Sequence, residues 1–256
     1  MIDPIAFHIG PLAVHWYGIS YALGLFFVSY SLVLLNEKRP VFKNNEQIFD
    51  LMFWAFLVGV IPGGRIGYIL FYNLPYYLSN PAKLLAVWEG GMSFHGGLIG
   101  VLLVGYFYCK KHKIDWLKAA DLTVIPMGIP IMLTRLANFV NGELYGREVN
   151  NEALKQLVGM DFGDGVMRHP SQLYESMAGF VIFLTLVLVF IKYKPKRGVL
   201  FFCFLALYGL LRTLIEFVRA PDAQIGFILN YFTLGQIFSF LMLCIGIWGI
   251  KRSTAK

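Results

Sequence analysis

The chain has 256 residues, 57% hydrophobic and 16% aromatic, with 14% charged side chains where a soluble domain carries roughly 25%. Mean hydropathy is +0.63, and 22 Lys and Arg against 15 Asp and Glu give a formal net charge of +7. So few charges cannot cover a water-soluble globule of this size, and so much apolar content excludes disorder, which leaves an integral membrane protein.

Residues 1–16 contain no Lys or Arg and so lack the basic region of a cleaved signal peptide. The first apolar stretch, 16–35, is therefore expected to stay in the mature chain. Further stretches follow at 48–72, 93–109, 119–140, 172–191, 199–217 and 228–250. The third is short and borrows residues from Trp88–Met92. Each approaches the roughly 20 residues that cross a bilayer as a helix. The prediction is an all-α polytopic membrane protein with seven transmembrane helices, forming one membrane domain over 1–256. Links 73–92 and 141–171 are longer and mix Gly, Pro, Asn and aromatic residues, so they are expected to form a small cap on the outer face. No internal repeat is evident. Cys109, Cys203 and Cys244 are odd in number, lie in apolar runs and form no CxxC pair, so they read as small core residues.

The basic residues give an orientation. The links after the first, third and fifth stretches, together with the C-terminal tail, hold fourteen Lys and Arg; the opposite side holds five, namely Lys83, Arg147, Lys155, Arg168 and Arg219. That bias in short loops places the N-terminus outside, on the periplasmic face, and the C-terminus in the cytoplasm. The positive balance thus reports topology, and no nucleic-acid partner is implied.

Ionisable groups inside spans are costly and point to function. Asp50 and Asp121 lie near cytoplasmic ends and suit a structural role. Arg65, His95, Arg135, Glu175, Arg212 and Glu216 all fall in the outer half of the predicted spans, as a polar chamber open to that face would require. Tyr208, Arg212, Glu216 and Arg219 are spaced 4, 4 and 3, so they cover about 80° of one helical face. Arg135 and Asn138 are likewise neighbours, three apart. A structural Arg–Glu ladder accounts for part of this pattern. The arginines nevertheless outnumber their deep acidic partners, and a surplus of buried cations calls for an anion, for which Arg is suited by its bidentate geometry. Gly59, Gly63 and Gly67, and likewise Gly96 and Gly100, recur every four residues, which permits close helix packing. No HExxH, Cys/His cluster or P-loop is present, so neither a metal nor a dissociable cofactor is implied. A transporter for a small anion or lipid would also use buried arginines, but it predicts charges near the midplane and repeats. An intramembrane protease would need a Ser–His or paired-Asp site, and no credible one is visible.

The run Arg135-Leu-Ala-Asn138-Phe-Val-Asn-Gly-Glu143-Leu-Tyr-Gly146-Arg147 resembles the signature of prolipoprotein diacylglyceryl transferases. So do His15-Trp-Tyr17-Gly18, Gly63-Gly-Arg65-Ile-Gly-Tyr68, Gly90-Gly-Met-Ser-Phe-His95-Gly-Gly-Leu-Ile-Gly100, Arg168-His-Pro-Ser-Gln-Leu-Tyr-Glu175, and Tyr208-Gly209 followed by Arg212, Glu216-Phe217, Arg219 and Pro221-Asp222. The resemblance runs from about residue 10 to 240, in order. Thr134 and Ala137 stand where the family usually has glycine, and the segment Glu148–Met167 is shorter than in many members. The resemblance implies a multi-pass enzyme of the bacterial plasma (inner) membrane, with its site toward the outer, periplasmic half. It would transfer the diacylglyceryl group of phosphatidylglycerol to the lipobox cysteine of a prolipoprotein signal peptide, without a cofactor and as a monomer. By the same resemblance Arg135 and Arg212 face the phosphate. Tyr17, His95, Asn138, Glu143, Gly146, Tyr208, Glu216 and Arg219 belong to the same site. Within that reading His95 is a candidate general base, since an imidazole titrates near 6.5. Tyr208 would donate to a phosphate oxygen, and Arg65 is a further substrate-binding candidate.

Overall fold

The computed structural model describes residues 3–87, 90–221 and 232–255. Trp88, Asp222 and residues 228–231 of the last predicted stretch lie outside the described residues. The chain begins with an antiparallel hairpin, β1 (Ile5–Ile9) and β2 (Leu12–His15), turned at Gly10 with φ of 58°. Then come α1 (Trp16–Lys38) and a long helical run made of α2 (Asn45–Trp54), a π-helical turn over Ala55–Val60 and α3 (Ile61–Tyr72). Next are the short α4 (Leu74–Ser79), a 3-10 turn over Pro81–Leu85, α5 (Phe94–His112), α6 (Trp116–Val124) and α7 (Gly128–Val140). The chain continues through α8 (Glu152–Val158), the two-residue strands β3 (Met160–Asp161) and β4 (Met167–Arg168), α9 (Ser171–Tyr193), α10 (Val199–Ile215) and α11 (Leu234–Ala255).

The protein is thus mostly helical. Among the described residues, four helical runs, at Trp16–Lys38, Asn45–Tyr72, Ser171–Tyr193 and Leu234–Ala255, are long and apolar enough to cross a membrane, and α6 with α7, bent by 46°, make a fifth if taken as one span. The shorter α10 is apolar as well. The bend falls at Pro126, where the missing N–H breaks the helical ladder. Proline explains the π turn in the same way: it precedes Pro62, and Ile61 N–H donates five residues back to Phe56 O.

Two compact units divide the chain, one of residues 1–32 and 120–256, the other of 33–119. In the second, α3 and the π turn pack on α5 through the glycine stripes. A Cβ on Gly63 would lie 2.6 Å from Gly96 O, and one on Gly67 would lie 2.6 Å from Gly96 Cα. The four-residue spacing therefore serves backbone-to-backbone packing, as expected. In the first unit α9 packs against α7 and α10, and α10 against α11. Asp121 has the structural role its position suggested: its carboxylate accepts from Gly198 N–H and, at 2.8 Å, from Phe201 N–H, satisfying donors that α10 leaves open at its start.

Candidate active site

Within the first unit, α7, α9 and α10 bring the predicted site residues together. On α7 the three-residue spacing holds: Arg135 Nη1 donates to Asn138 Oδ1 at 3.1 Å. Facing them on α9 is Glu175, 5% exposed, with Oε2 2.8 Å from Arg135 Nε and Oε1 3.0 Å from Arg212 Nη1. Arg212 Nη2 also meets Glu216 Oε2 at 2.8 Å, and Glu216, 1% exposed, accepts at 2.8 Å from Thr233 Oγ1. Arg219 completes the cluster, with Nε 3.6 Å from Glu175 Oε1 and Nη1 3.7 Å from Glu216 Oε1. Three guanidiniums therefore share two buried carboxylates, which leaves one positive charge in excess among these five groups. Glu143 adds a third carboxylate, joined to Arg135 through Asn138, and breaking any one of the buried pairs is destabilising.

The signature segment after α7 supports this cluster. Asn138, 2% exposed, donates to Glu143 Oε1 at 2.7 Å, and Asn141 donates to the same oxygen at 3.3 Å. From the start of α9, Gln172 Nε2 donates to Glu143 O at 2.8 Å and Ser171 Oγ to Leu144 O at 3.0 Å. Gly146 then passes between two backbone segments. Its N–H donates to His169 O at 2.8 Å, it bridges Arg219, and the next N–H, of Arg147, donates to Val218 O at 2.7 Å. A Cβ on Gly146 would fall 2.5 Å from Val218 O and 2.6 Å from His169 O, so the close approach requires glycine. Arg147 Nε caps Arg219 O at 2.9 Å, fixing the backbone that carries Arg219.

Tyr208 lies within electrostatic range of Arg212, Arg135, Glu175 and Arg219. Together with Glu175 and Arg212 it forms the polar part of the lining of a small crevice whose apolar walls include Ile131, Ala178, Gly179, Ile182, Leu211 and Ile215. Tyr17, whose hydroxyl is 3.3 Å from that of Tyr21, lies within range of Glu143 and Arg135. Of the family-glycine positions, Ala137 is buried at 4% exposure, so its methyl is accommodated. Outside the helices, burial alone holds the His169 imidazole below its ordinary titration range, and its Nδ1 lies 3.3 Å from Tyr174 OH. The Asp164 carboxyl is lowered by its ion pair with Arg168 at 2.6 Å. Among the described residues, no three His, Cys, Asp or Glu side chains are gathered for a metal ion.

Arg65 and His95 belong to the second unit. Arg65 is 4% exposed, and its guanidinium donates to four backbone carbonyls: Leu84 O at 3.1 Å, Lys83 O at 2.7 Å, Gly91 O at 3.3 Å and Gly90 O through a short bond. It also lies over the Tyr77 ring at 5.0 Å. The structure thus shows Arg65 tying the segment before α5 to α3. His95 is the second residue of α5, half-buried, just after Ser93, whose hydroxyl caps Gly96 N–H at 3.2 Å. Glu175, singled out in the sequence without an assigned role, is the centre of the cluster, and Gln172 and Arg147 support it. Glu175 was visible as an acidic residue inside a span within the Arg168–Glu175 motif. Gln172 and Arg147 act on backbone carbonyls, for which side-chain type gives no signal.

The family model for prolipoprotein diacylglyceryl transferase matches residues 4–252. The phosphatidylglycerol–prolipoprotein diacylglyceryl transferase of Geobacter sulfurreducens is 45% identical, covering 96% of this chain and 93% of its own. Those of Ehrlichia ruminantium (44%; 98% and 97%) and Rickettsia bellii (42%; 100% and 97%) are similarly related. The chain belongs to the prolipoprotein diacylglyceryl transferase family.

Proposed function

We propose that this chain transfers the diacylglyceryl group of phosphatidylglycerol to the thiol of a prolipoprotein's lipobox cysteine, the first step of lipoprotein maturation, and that Arg135 and Arg212 hold the donor's phosphate. The observation that carries the assignment of residues is the pair of arginines, on two different helices, joined through the one carboxylate of Glu175. Two guanidiniums held in this way offer a phospholipid's phosphate a cationic seat.

In this reading the acceptor thiol loses its proton, and the thiolate attacks the diacylglyceryl carbon that carries the phosphate ester. A C–S bond forms as the C–O bond breaks, and the electron pair leaves on the phosphate oxygen of glycerol phosphate. Arg135 and Arg212 stabilise that developing charge, usually the largest catalytic term. Tyr208 donates to a phosphate oxygen, while Glu216 and Arg219 keep Arg212 oriented. Tyr17, Asn138, Glu143 and Gly146 shape the donor's seat, Arg65 acts on substrate through the segment it fastens, and His95 takes the thiol proton. The chain crosses the bacterial inner membrane seven times as a single domain, N-terminus outside, with 73–92 and 141–171 capping a site in the outer half, and it works as a monomer.

The test mixes purified protein, phosphatidylglycerol and a lipobox peptide in detergent. Lipidated peptide and glycerol phosphate are expected together in equal amounts. Neither product, where a related transferase gives both, would overturn the assignment.

A further inference from the structure

Thr233 stands just before α11 and is 2% exposed. Its hydroxyl accepts from Gln236 N–H at 3.1 Å, while Gln236 Oε1 accepts from Thr233 N–H at 3.1 Å. These reciprocal bonds form a capping box, with threonine at the cap and glutamine three residues on, and they satisfy a donor that the first turn of α11 leaves open. A cap needs the hydroxyl only as an acceptor. Here its hydrogen is engaged as well, because Thr233 Oγ1 donates to Glu216 Oε1 at 2.8 Å. The direction of that bond is fixed, since an ionised carboxylate only accepts and a hydroxyl has one hydrogen to give. The two bonds together hold the oxygen at the start of α11 and aim its hydrogen at the arginine cluster.

A neighbouring contact shows how closely Glu216 is seated there. A Cβ on Gly235 would fall 2.8 Å from Glu216 Oε1 and 3.1 Å from Oε2, so the carboxylate lies against the first turn of α11. The partial positive charge of a helix N-terminus favours a carboxylate in that place. The two oxygens then have different partners. Oε1 goes to Thr233, with Arg219 Nη1 farther off at 3.7 Å, and Oε2 meets Arg212 Nη2 at 2.8 Å. Arg212 reaches Glu175 through its other terminal nitrogen, at 3.0 Å. A guanidinium and a carboxylate pair most strongly when two nitrogens meet two oxygens. By occupying Oε1, the Thr233 hydroxyl keeps Glu216 from closing on Arg212 in that way. It thereby leaves Arg212 on Glu175, the carboxylate it shares with Arg135.

We propose that Thr233 is a positioning residue for the transfer, acting on Arg212 through the Glu216 carboxylate. This rests on the reading of Arg212 as a group that holds the donor's phosphate. The experiment measures kcat in detergent, with phosphatidylglycerol and a lipobox peptide, for Thr233→Val, Thr233→Ser, Glu216→Gln and the double variant of Thr233→Val with Glu216→Gln. Val keeps the shape of Thr and removes the hydroxyl, whereas Ser keeps the hydroxyl. Thr233→Val should lower kcat about tenfold, as small misplacements of a catalytic group do, and Thr233→Ser should stay close to the parent. The double variant should be no slower than Glu216→Gln alone, because the hydroxyl acts only through that carboxylate. If Thr233→Val does not purify as a monodisperse protein, Thr233→Ala takes its place in the same cycle. Parental kcat without the hydroxyl, a Ser variant as slow as the Val variant, or losses that multiply in the double variant as for a purely structural cap, would each overturn the proposal. Absence of transfer by the parent chain would overturn the transferase reading itself, which separates the two failures.

Discussion

Glu175 Oε2 lies 2.8 Å from Arg135 Nε, which ties α9 to α7, while its second oxygen lies 3.0 Å from Arg212 Nη1 on α10. One carboxylate thus sets the separation of two guanidiniums on different helices, and it also moderates their charge. Replacing Glu175 by Gln keeps the side chain's shape but removes the negative charge that Arg135 and Arg212 share. The expected outcome is a fall in kcat of tenfold or more, with KM for phosphatidylglycerol unchanged or lower, because anion attraction increases while alignment is lost. Asp at the same position should recover part of the rate. Wild-type kcat in the Gln variant would show that the arginines hold their places without Glu175.

Removing either arginine acts on the reaction more directly. On the proposed reading, Arg135→Ala and Arg212→Ala each take away a donor to the leaving phosphate, for which a loss of about 100- to 1000-fold is typical. Each also leaves Glu175 with one fewer partner, a cost of about 3–5 kcal/mol when a buried pair is broken. Transfer rate and gel-filtration profile therefore have to be measured on the same preparation. A monodisperse variant with near-normal turnover would remove the phosphate seat from Arg135 and Arg212.

His95→Gln addresses the thiol proton. If the imidazole takes it, the variant should be slowed most near pH 7 and least near pH 9, where a free thiol with pKa of about 8.5 ionises unaided. Rate profiles of parent and variant that run parallel across this range would exclude the role.

Different physical signals account for what the sequence revealed and what it concealed. All seven apolar stretches contain helix because burial of apolar surface and satisfaction of every backbone group both favour it, and both leave a run of Leu, Phe, Val and Ile. The hairpin before α1 left no such trace. Phe7, Ile9 and Leu12 are all exposed, so its strands lack the inside–outside alternation that marks a half-buried sheet. Arg65 and Arg135 were indistinguishable as arginines within spans. Only the tertiary placement of Lys83, Leu84, Gly90 and Gly91 shows that Arg65 meets backbone carbonyls while Arg135 meets a carboxylate.

The glycine stripes predict a sharp contrast in stability. A Cβ on Gly100 would come within 2.2 Å of Gly59 O, whereas one on Gly18 meets nothing within 4 Å. Gly100→Ala should therefore force the π turn and α5 apart and lower stability by about 1–3 kcal/mol. Gly18→Ala, inside α1, should be neutral or slightly stabilising. Thermal unfolding in detergent compares them, and equal melting temperatures would mean that the stripe tolerates a methyl group.

His169 gives the chain an acid sensitivity outside its helices. Burial lowers its pKa, so the folded protein keeps the ring neutral where the unfolded chain, titrating near 6.5, already binds a proton. With a depressed folded pKa, the stability contribution is fully present above about 6.5 and is lost as pH falls through the folded value. The backbone of His169 is where that loss matters, since its carbonyl accepts from Gly146 and its N–H donates to Arg147 O at 3.0 Å. Melting temperature should therefore decline between pH 7.5 and 5.5, and His169→Gln, which cannot titrate, should show a smaller decline even if its starting stability is lower. Transfer should follow the same pattern, because Gly146 and Arg147 support Arg219. An equal decline in parent and variant would place the acid-sensitive group elsewhere.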